Sequence, residues 1–92
     1  MVAGRIHDGK PCPYCGEQLK AFKTRAGRLG RRHPTADHVF PKSKGGTVKI
    51  IVCRECNELK RNMTPDQWLV WLTRNKPHRV KVVRDLIKEV LK

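Results

Sequence analysis

Two Cys-x-x-Cys pairs, Cys12/Cys15 and Cys53/Cys56, constrain this chain more than any other feature. Two thiolates spaced in this way can reach one tetrahedral ion together. If all four take the same ion, the 37 residues from Gly16 to Val52 become a closed loop with its ends side by side. The chain needs such a staple. It has 92 residues and a formal net charge of +13, and a chain this short buries only about 60% of its unfolded surface. Met1-Val-Ala-Gly-Arg-Ile carries no apolar run, so no signal peptide is expected, and no later stretch is long enough to span a membrane. A cytoplasmic, reducing compartment is the expectation, and it favours a metal over the alternative of two disulfides. Iron–sulfur ligation is a further alternative. Cys12-Pro13-Tyr14-Cys15 is also a glutaredoxin-type redox sequence. A redox site, however, follows a buried strand and opens a long helix, whereas here a polar segment precedes the pair and a Gly/Arg-rich one follows. Structural zinc is expected, without a catalytic role, because four thiolates leave no open position.

The charge predicts a polyanionic partner, more readily a phosphate backbone than an acidic membrane face. Between Gln18 and Ala36 there is no acid, while Lys20, Lys23, Arg25, Arg28, Arg31 and Arg32 accumulate. A run of charge is ordinarily a solvated face. This one leads directly into Asp37-His38, which favours nucleic-acid contact, with Lys42 and Lys44 just beyond.

Taken in order, the chain divides into a flexible arm (1–10), a metal-stapled core (11–63) and C-terminal helices (64–92), all within a single domain. Leu19 to Phe22 could form a short strand, and Lys23 to Pro34 a basic loop. Thr35–Phe40 and the β-branched Val48–Val52 read as two strands joined through Gly45-Gly46, and a helix is expected from Cys53 to about Asn62. On that helix Asn57 lies about 100° round from Cys56, so one rigid element would tie the metal knot to a second face. Thr64-Pro65-Asp66-Gln67 is a helix start with a capping box, followed by the stripe Trp68, Leu69, Trp71, Leu72. After Pro77, Val83, Ile87 and Leu91 recur every four residues. Both tryptophans are expected to pack in the core rather than stack on bases.

Asp37, His38 and Asn57 form a second constellation. Phosphodiester hydrolysis requires an activated water and a cation to offset charge on the phosphorus and the leaving oxygen. A neutral histidine takes a proton near pH 7. A carboxylate and an amide oxygen are hard donors that suit Mg²⁺ or Mn²⁺. Asp-His alone carries little information, since a salt-bridged surface pair has the same sequence. The order Asp-His, Gly-Gly, Cys-x-x-Cys-Asn-x-x-Lys carries much more.

Asp37-His38-Val39-Phe40-Pro41-Lys42-Ser43-Lys44-Gly45-Gly46, with Cys53-Arg54-Glu55-Cys56-Asn57-Glu58-Leu59-Lys60, resembles the HNH endonuclease motif in its four-cysteine, short phage or bacterial form. The resemblance covers roughly Cys12 to Thr64. It implies an α+β, zinc-stapled ββα-metal (His-Me finger) fold with added C-terminal helices. It also implies His38 as general base, Asp37 and Asn57 as holders of one divalent ion, Lys60 as a phosphate contact, and products with 3′-hydroxyl and 5′-phosphate ends. A single centre cuts one strand of DNA, so a double-strand break needs a homodimer or a partner. Some relatives of this form are phage-encoded and act beside packaging proteins. Two departures stand out. The family's central asparagine, which braces the loop, is missing from Gly46-Thr47-Val48-Lys49-Ile50-Ile51, where Thr47 is the candidate substitute. Arg61 stands where glycine commonly follows the lysine. The rival reading is a catalytically silent zinc module that binds DNA or RNA through its basic run.

Overall fold

The computed structural model describes residues 7–21, 26–27 and 29–91. Its architecture is α+β: a two-stranded antiparallel sheet followed by three α-helices among the described residues. Strand β1 (Pro34–His38) pairs with β2 (Lys49–Cys53), with Pro34 opposite Cys53 and His38 opposite Lys49. Lys49-Ile50-Ile51-Val52 is rich in β-branched residues, which suit a pleated, half-buried surface. Pro34-Thr35-Ala36-Asp37-His38 is a poor strand former by itself and is held by its partner. Both strands sit one residue or more from their expected limits. β1 stops at His38 because the chain turns into a short 3₁₀ segment, Lys42–Lys44. Gly45 N–H donates to the Lys42 carbonyl, and Lys44 and Gly46 both donate to that of Pro41.

Gly46 is required at this turn. A Cβ there would lie 1.8 Å from the Phe40 carbonyl oxygen, well inside any tolerable contact. Thr47, the candidate brace, is exposed and makes no side-chain hydrogen bond among the described residues. Main-chain bonds close the loop instead.

Helix α1 (Arg54–Lys60) begins directly from β2. Cys53 is its N-cap, and its sulfur accepts the Cys56 N–H at 3.4 Å, so one thiol serves both the helix start and the cysteine cluster. Helix α2 (Pro65–Asn75) starts as its sequence dictates. Thr64 Oγ1 accepts from Gln67 N–H at 3.3 Å, and Gln67 Oε1 accepts from Thr64 N–H at 2.9 Å. After a 3₁₀ turn at Pro77–Arg79, helix α3 (Val80–Val90) packs back on α2. Of its apolar stripe, Val83 and Ile87 are buried, while Leu91 falls just past the helix and is exposed.

One core joins these parts: Cys12, Tyr14 and Leu19 from the N-terminal segment, Val39 and Val52 from the hairpin region, and Trp68, Leu72, Val83 and Ile87 from the C-terminal helices. Trp68 lies between Tyr14, 5.2 Å away by ring centroid, and Trp71, stacked at 5.1 Å. It is fully buried, as expected of a core residue. No helix among the described residues is long and apolar enough to cross a membrane.

The N-terminal segment departs from expectation. Residues 1–6 lie outside the described part, but residues 7–10 are tied down rather than free: Gly9 donates to the Leu19 carbonyl and Leu19 to that of Lys10, both at 2.8 Å. The strand expected at Leu19–Phe22 reduces to this ladder and a single bridge between Pro11 and Gln18, and Phe22 lies outside the described residues. Two cysteines on a tight turn leave the flanking segments antiparallel and adjacent, and main-chain pairing follows from that.

Candidate functional site

The four cysteines come together. Their sulfurs lie within 4.8 Å of one another, with Cys12, Cys53 and Cys56 buried. Cys15 Sγ and Cys53 Sγ are 3.8 Å apart. That is far longer than a disulfide, about 2.05 Å, and equals the edge of a tetrahedron of sulfurs about 2.3 Å from a central zinc, about 3.8 Å. Backbone amides complete the set: Cys53 N–H points at Cys12 Sγ from 3.3 Å. Gly16 turns the chain beneath the first pair with φ +83°, and a Cβ there would press to 3.1 Å on the Arg79 guanidinium. Arg79 in turn donates to the carbonyls of Tyr14 (3.0 Å) and Pro13 (3.1 Å), clamping the C-terminal part of the chain onto the knuckle.

The thiols cannot ionise independently. Hydrogen bonds from Cys15, then from Cys53 and Cys56, hold Cys12 far below the ordinary thiol range. The bonds to Cys12, then to Cys15 and Cys53, push Cys56 far above it. Four sulfurs at this spacing ionise together only around a cation. The donor set fits a closed zinc site.

The second cluster begins at the end of β1. Adjacent strand residues project to opposite faces, and Asp37 turns inward, 3% exposed, while His38 stays half-buried. Asp37 Oδ2 accepts the Tyr14 hydroxyl at 2.7 Å and faces Lys60 Nζ at 3.2 Å. Tyr14 sits between the two cysteines of the first pair, so the knuckle reaches directly to this carboxylate. Burial, then the Asp37 charge beside it, pushes the Tyr14 phenol well above its ordinary value and keeps it a donor.

Lys60 corrects an expectation. Its side chain is 0% exposed, and its ammonium is shared between Asp37 and the His38 carbonyl, 2.9 Å away. It is a buried internal cation and does not reach out to phosphate. The helical spacing explains why: Lys60 lies one turn beyond Cys56, on the face of α1 that the knot pulls into the core.

Asn57 lies on the neighbouring face, half-buried, and its Nδ2 donates to Thr35 Oγ1 (3.0 Å) and to the Ala36 carbonyl (3.2 Å). Because a carbonyl only accepts, the amide nitrogen must face β1, which turns Oδ1 away from the strand. Asp37, His38 and Asn57 line one open cavity of about 270 Å³ together with Ala36, Pro41, Lys42, Ser43, Arg61 and Asn62. The constellation read from sequence thus meets at one place, supplied by β1, α1 and the loop after β1.

The basic residues are less uniform. Lys20, Arg31 and Arg32 share a shallow surface depression with Gly30, and Lys42 and Lys44 are exposed on the 3₁₀ segment. Arg31 pairs with the half-buried Glu55 at 3.7 Å and Arg32 with Glu17 at 2.9 Å. Lys23, Arg25 and Arg28 lie outside the described residues. Sequence reasoning missed Tyr14, Lys60 as a buried cation, and Arg79. For Lys60 a signal was available, its helical spacing from Cys56.

Residues 12–70 match the family model described as HNH endonuclease. No curated protein and no solved structure matches the chain.

Proposed function

The chain belongs to the HNH endonuclease family, and we propose that it is a metal-dependent endonuclease acting on DNA, held together by a structural zinc. The observation that carries this reading is the convergence of Asp37, His38 and Asn57 on one solvent-open cavity beside a closed four-cysteine knot. The donor set suits a divalent ion. Both Asp37 contacts among the described residues fall on Oδ2, and Asn57 commits its nitrogen to β1. One carboxylate oxygen and one amide oxygen remain as hard ligands for Mg²⁺ or Mn²⁺. When bound, such an ion offsets the charge that gathers on the phosphate and on the leaving oxygen.

The rest is the work of the chain. His38 takes a proton from the attacking water as its oxygen bonds to phosphorus. The bond to the 3′ oxygen breaks, leaving a 3′-hydroxyl and a 5′-phosphate. The Lys60 ammonium on the His38 carbonyl fixes the end of β1. Lys20, Arg31, Arg32, Lys42 and Lys44 hold the backbone of the duplex by charge, without reading its bases. A lone centre nicks one strand. Cutting both requires a second copy or a partner protein, such as the packaging proteins of a phage.

The test is conversion of supercoiled plasmid to open circles by wild type and by His38→Ala, each with Mg²⁺, with Mn²⁺ and without added metal. Conversion by wild type alone, and only with metal, is the expected result. Binding without conversion by either protein would favour the silent zinc module.

A further inference from the structure

Arg61 is the residue the reading above leaves unused. It follows the last residue of α1 with φ +47° and ψ −119°, and among the described residues no other non-glycine has a positive φ. This pair of angles is that of the first central position of a type II′ turn, where glycine is the rule because a Cβ crowds the backbone. Glycine is also what the family motif commonly carries after the lysine. Arginine therefore holds this position against a conformational cost. Strain of this kind persists where the surrounding structure enforces it, and such positions cluster at active sites.

What the side chain does there is specific. It lines the cavity that contains Asp37, His38 and Asn57. Its Nε donates to the Glu58 carbonyl at 3.2 Å, which anchors the near end of the guanidinium. The acid closest in sequence, Glu58, is already taken by Arg54 at 2.7 Å, and Asp37 is taken by Lys60. Among the described residues no carboxylate neutralises Arg61. An anchored, unneutralised guanidinium at the wall of a reaction cavity is a fork for two phosphate oxygens.

We propose that Arg61 is a catalytic residue that grips the non-bridging oxygens of the scissile phosphate, resting on the nuclease reading given above. As water adds to phosphorus and its proton passes to His38, negative charge builds on those oxygens. It is relieved when the electron pair leaves with the 3′ oxygen, which is then protonated from solvent. A cation already in place at the oxygens stabilises that transition state more than the ground state.

The strain makes the test unusually discriminating, because removing the side chain acts oppositely on stability and on rate. Three proteins are compared: wild type, Arg61→Gly and Arg61→Lys. Each is measured for melting temperature, for affinity to a short duplex by fluorescence anisotropy in Ca²⁺, and for metal-dependent plasmid nicking. For Arg61→Gly the melting temperature rises by about 5 °C as the strain is released. Duplex affinity falls less than about threefold, since one phosphate contact among several is lost, and the nicking rate falls about 100-fold. Arg61→Lys keeps the charge but not the fork, and loses about 10-fold in rate. Nicking by Arg61→Gly at the wild-type rate would overturn this inference and leave the nuclease reading intact. Loss of nicking accompanied by a lower melting temperature would also overturn it and assign Arg61 to the fold. If wild type itself leaves the plasmid closed, the nuclease reading falls, and this inference with it.

Discussion

The cysteine knot and the cavity lined by Asp37, His38 and Asn57 are built from the same pieces and follow opposite rules. Both draw on the hairpin and on α1, where Cys56 and Asn57 are neighbours in sequence. In the knot four identical soft donors converge within 4.8 Å and are mostly buried. In the cavity three different side chains meet, Asp37 buried and His38 and Asn57 half-buried, and Asp37 and Asn57 commit part of their bonding capacity to the scaffold. A closed site spends every donor on one ion and contributes to folding. An open site must leave donors available, so its precision comes from the groups behind it. Here those groups are Tyr14, Lys60 and Thr35, and the first of them is part of the knot. The knot therefore supplies one of the groups that orient the cavity.

That contrast is broken most severely by opening the knot. Apparent binding energies of structural zinc in small domains reach about 10–16 kcal/mol, while a whole domain is stable by only about 5–15 kcal/mol. Cys56→Ala, or chelation of the wild type, is expected to abolish the cooperative thermal transition, followed by circular dichroism alongside measured zinc content. A cooperative melt in metal-free protein would show that the apolar core suffices and that the knot is dispensable.

A smaller but still large effect is expected at the joint between the two regions. Lys60→Met keeps the length of the side chain and removes its charge, leaving the 3%-exposed Asp37 carboxylate without its cation. Breaking a buried pair from one side costs about 3–5 kcal/mol, and urea unfolding of the zinc-loaded protein measures it. A loss under about 1 kcal/mol would mean that Lys60 is in effect a surface residue, and its expected contact with phosphate would stand again.

How much of this was legible in the sequence depends on the distance over which each feature is decided. The capping box at Thr64–Gln67 is settled within four residues, and the sequence states it outright. The cysteine pairs and the Asp37-His38 and Asn57 constellation are non-local, but residue chemistry marks them, because few uses exist for such donors at such spacing. The contacts that orient the site carry no such mark. Tyr14 meets Asp37 across 23 residues, Lys60 meets the His38 carbonyl across 22, and Arg79 meets the Tyr14 carbonyl across 65. A tyrosine between two cysteines reads as filler, and a lysine three residues after an asparagine in a basic chain reads as a surface charge. Only the packing of α1 against the knuckle turns both inward. The loop after β1 is a similar case. Its brace was sought in a side chain, at Thr47, and is supplied by main-chain bonds and by the close approach of Gly46 to Phe40.

The smallest expected change sharpens the comparison most, because it touches both regions through one atom. Tyr14→Phe removes only the hydroxyl that donates to Asp37 Oδ2, leaving the ring in its place against Trp68. A buried carboxylate that loses one donor and keeps its cation should cost about 1–3 kcal/mol, less than the loss of Lys60. Zinc content should stay at one ion per chain, since no sulfur ligand changes. If the knuckle does orient Asp37, the concentration of Mn²⁺ needed for half-maximal nicking should shift, and Mn²⁺ binding followed by electron paramagnetic resonance should shift with it. Stability lowered by that amount with unaltered Mn²⁺ binding would make the Tyr14 bond a packing contact alone. The two regions would then share a helix without sharing a function.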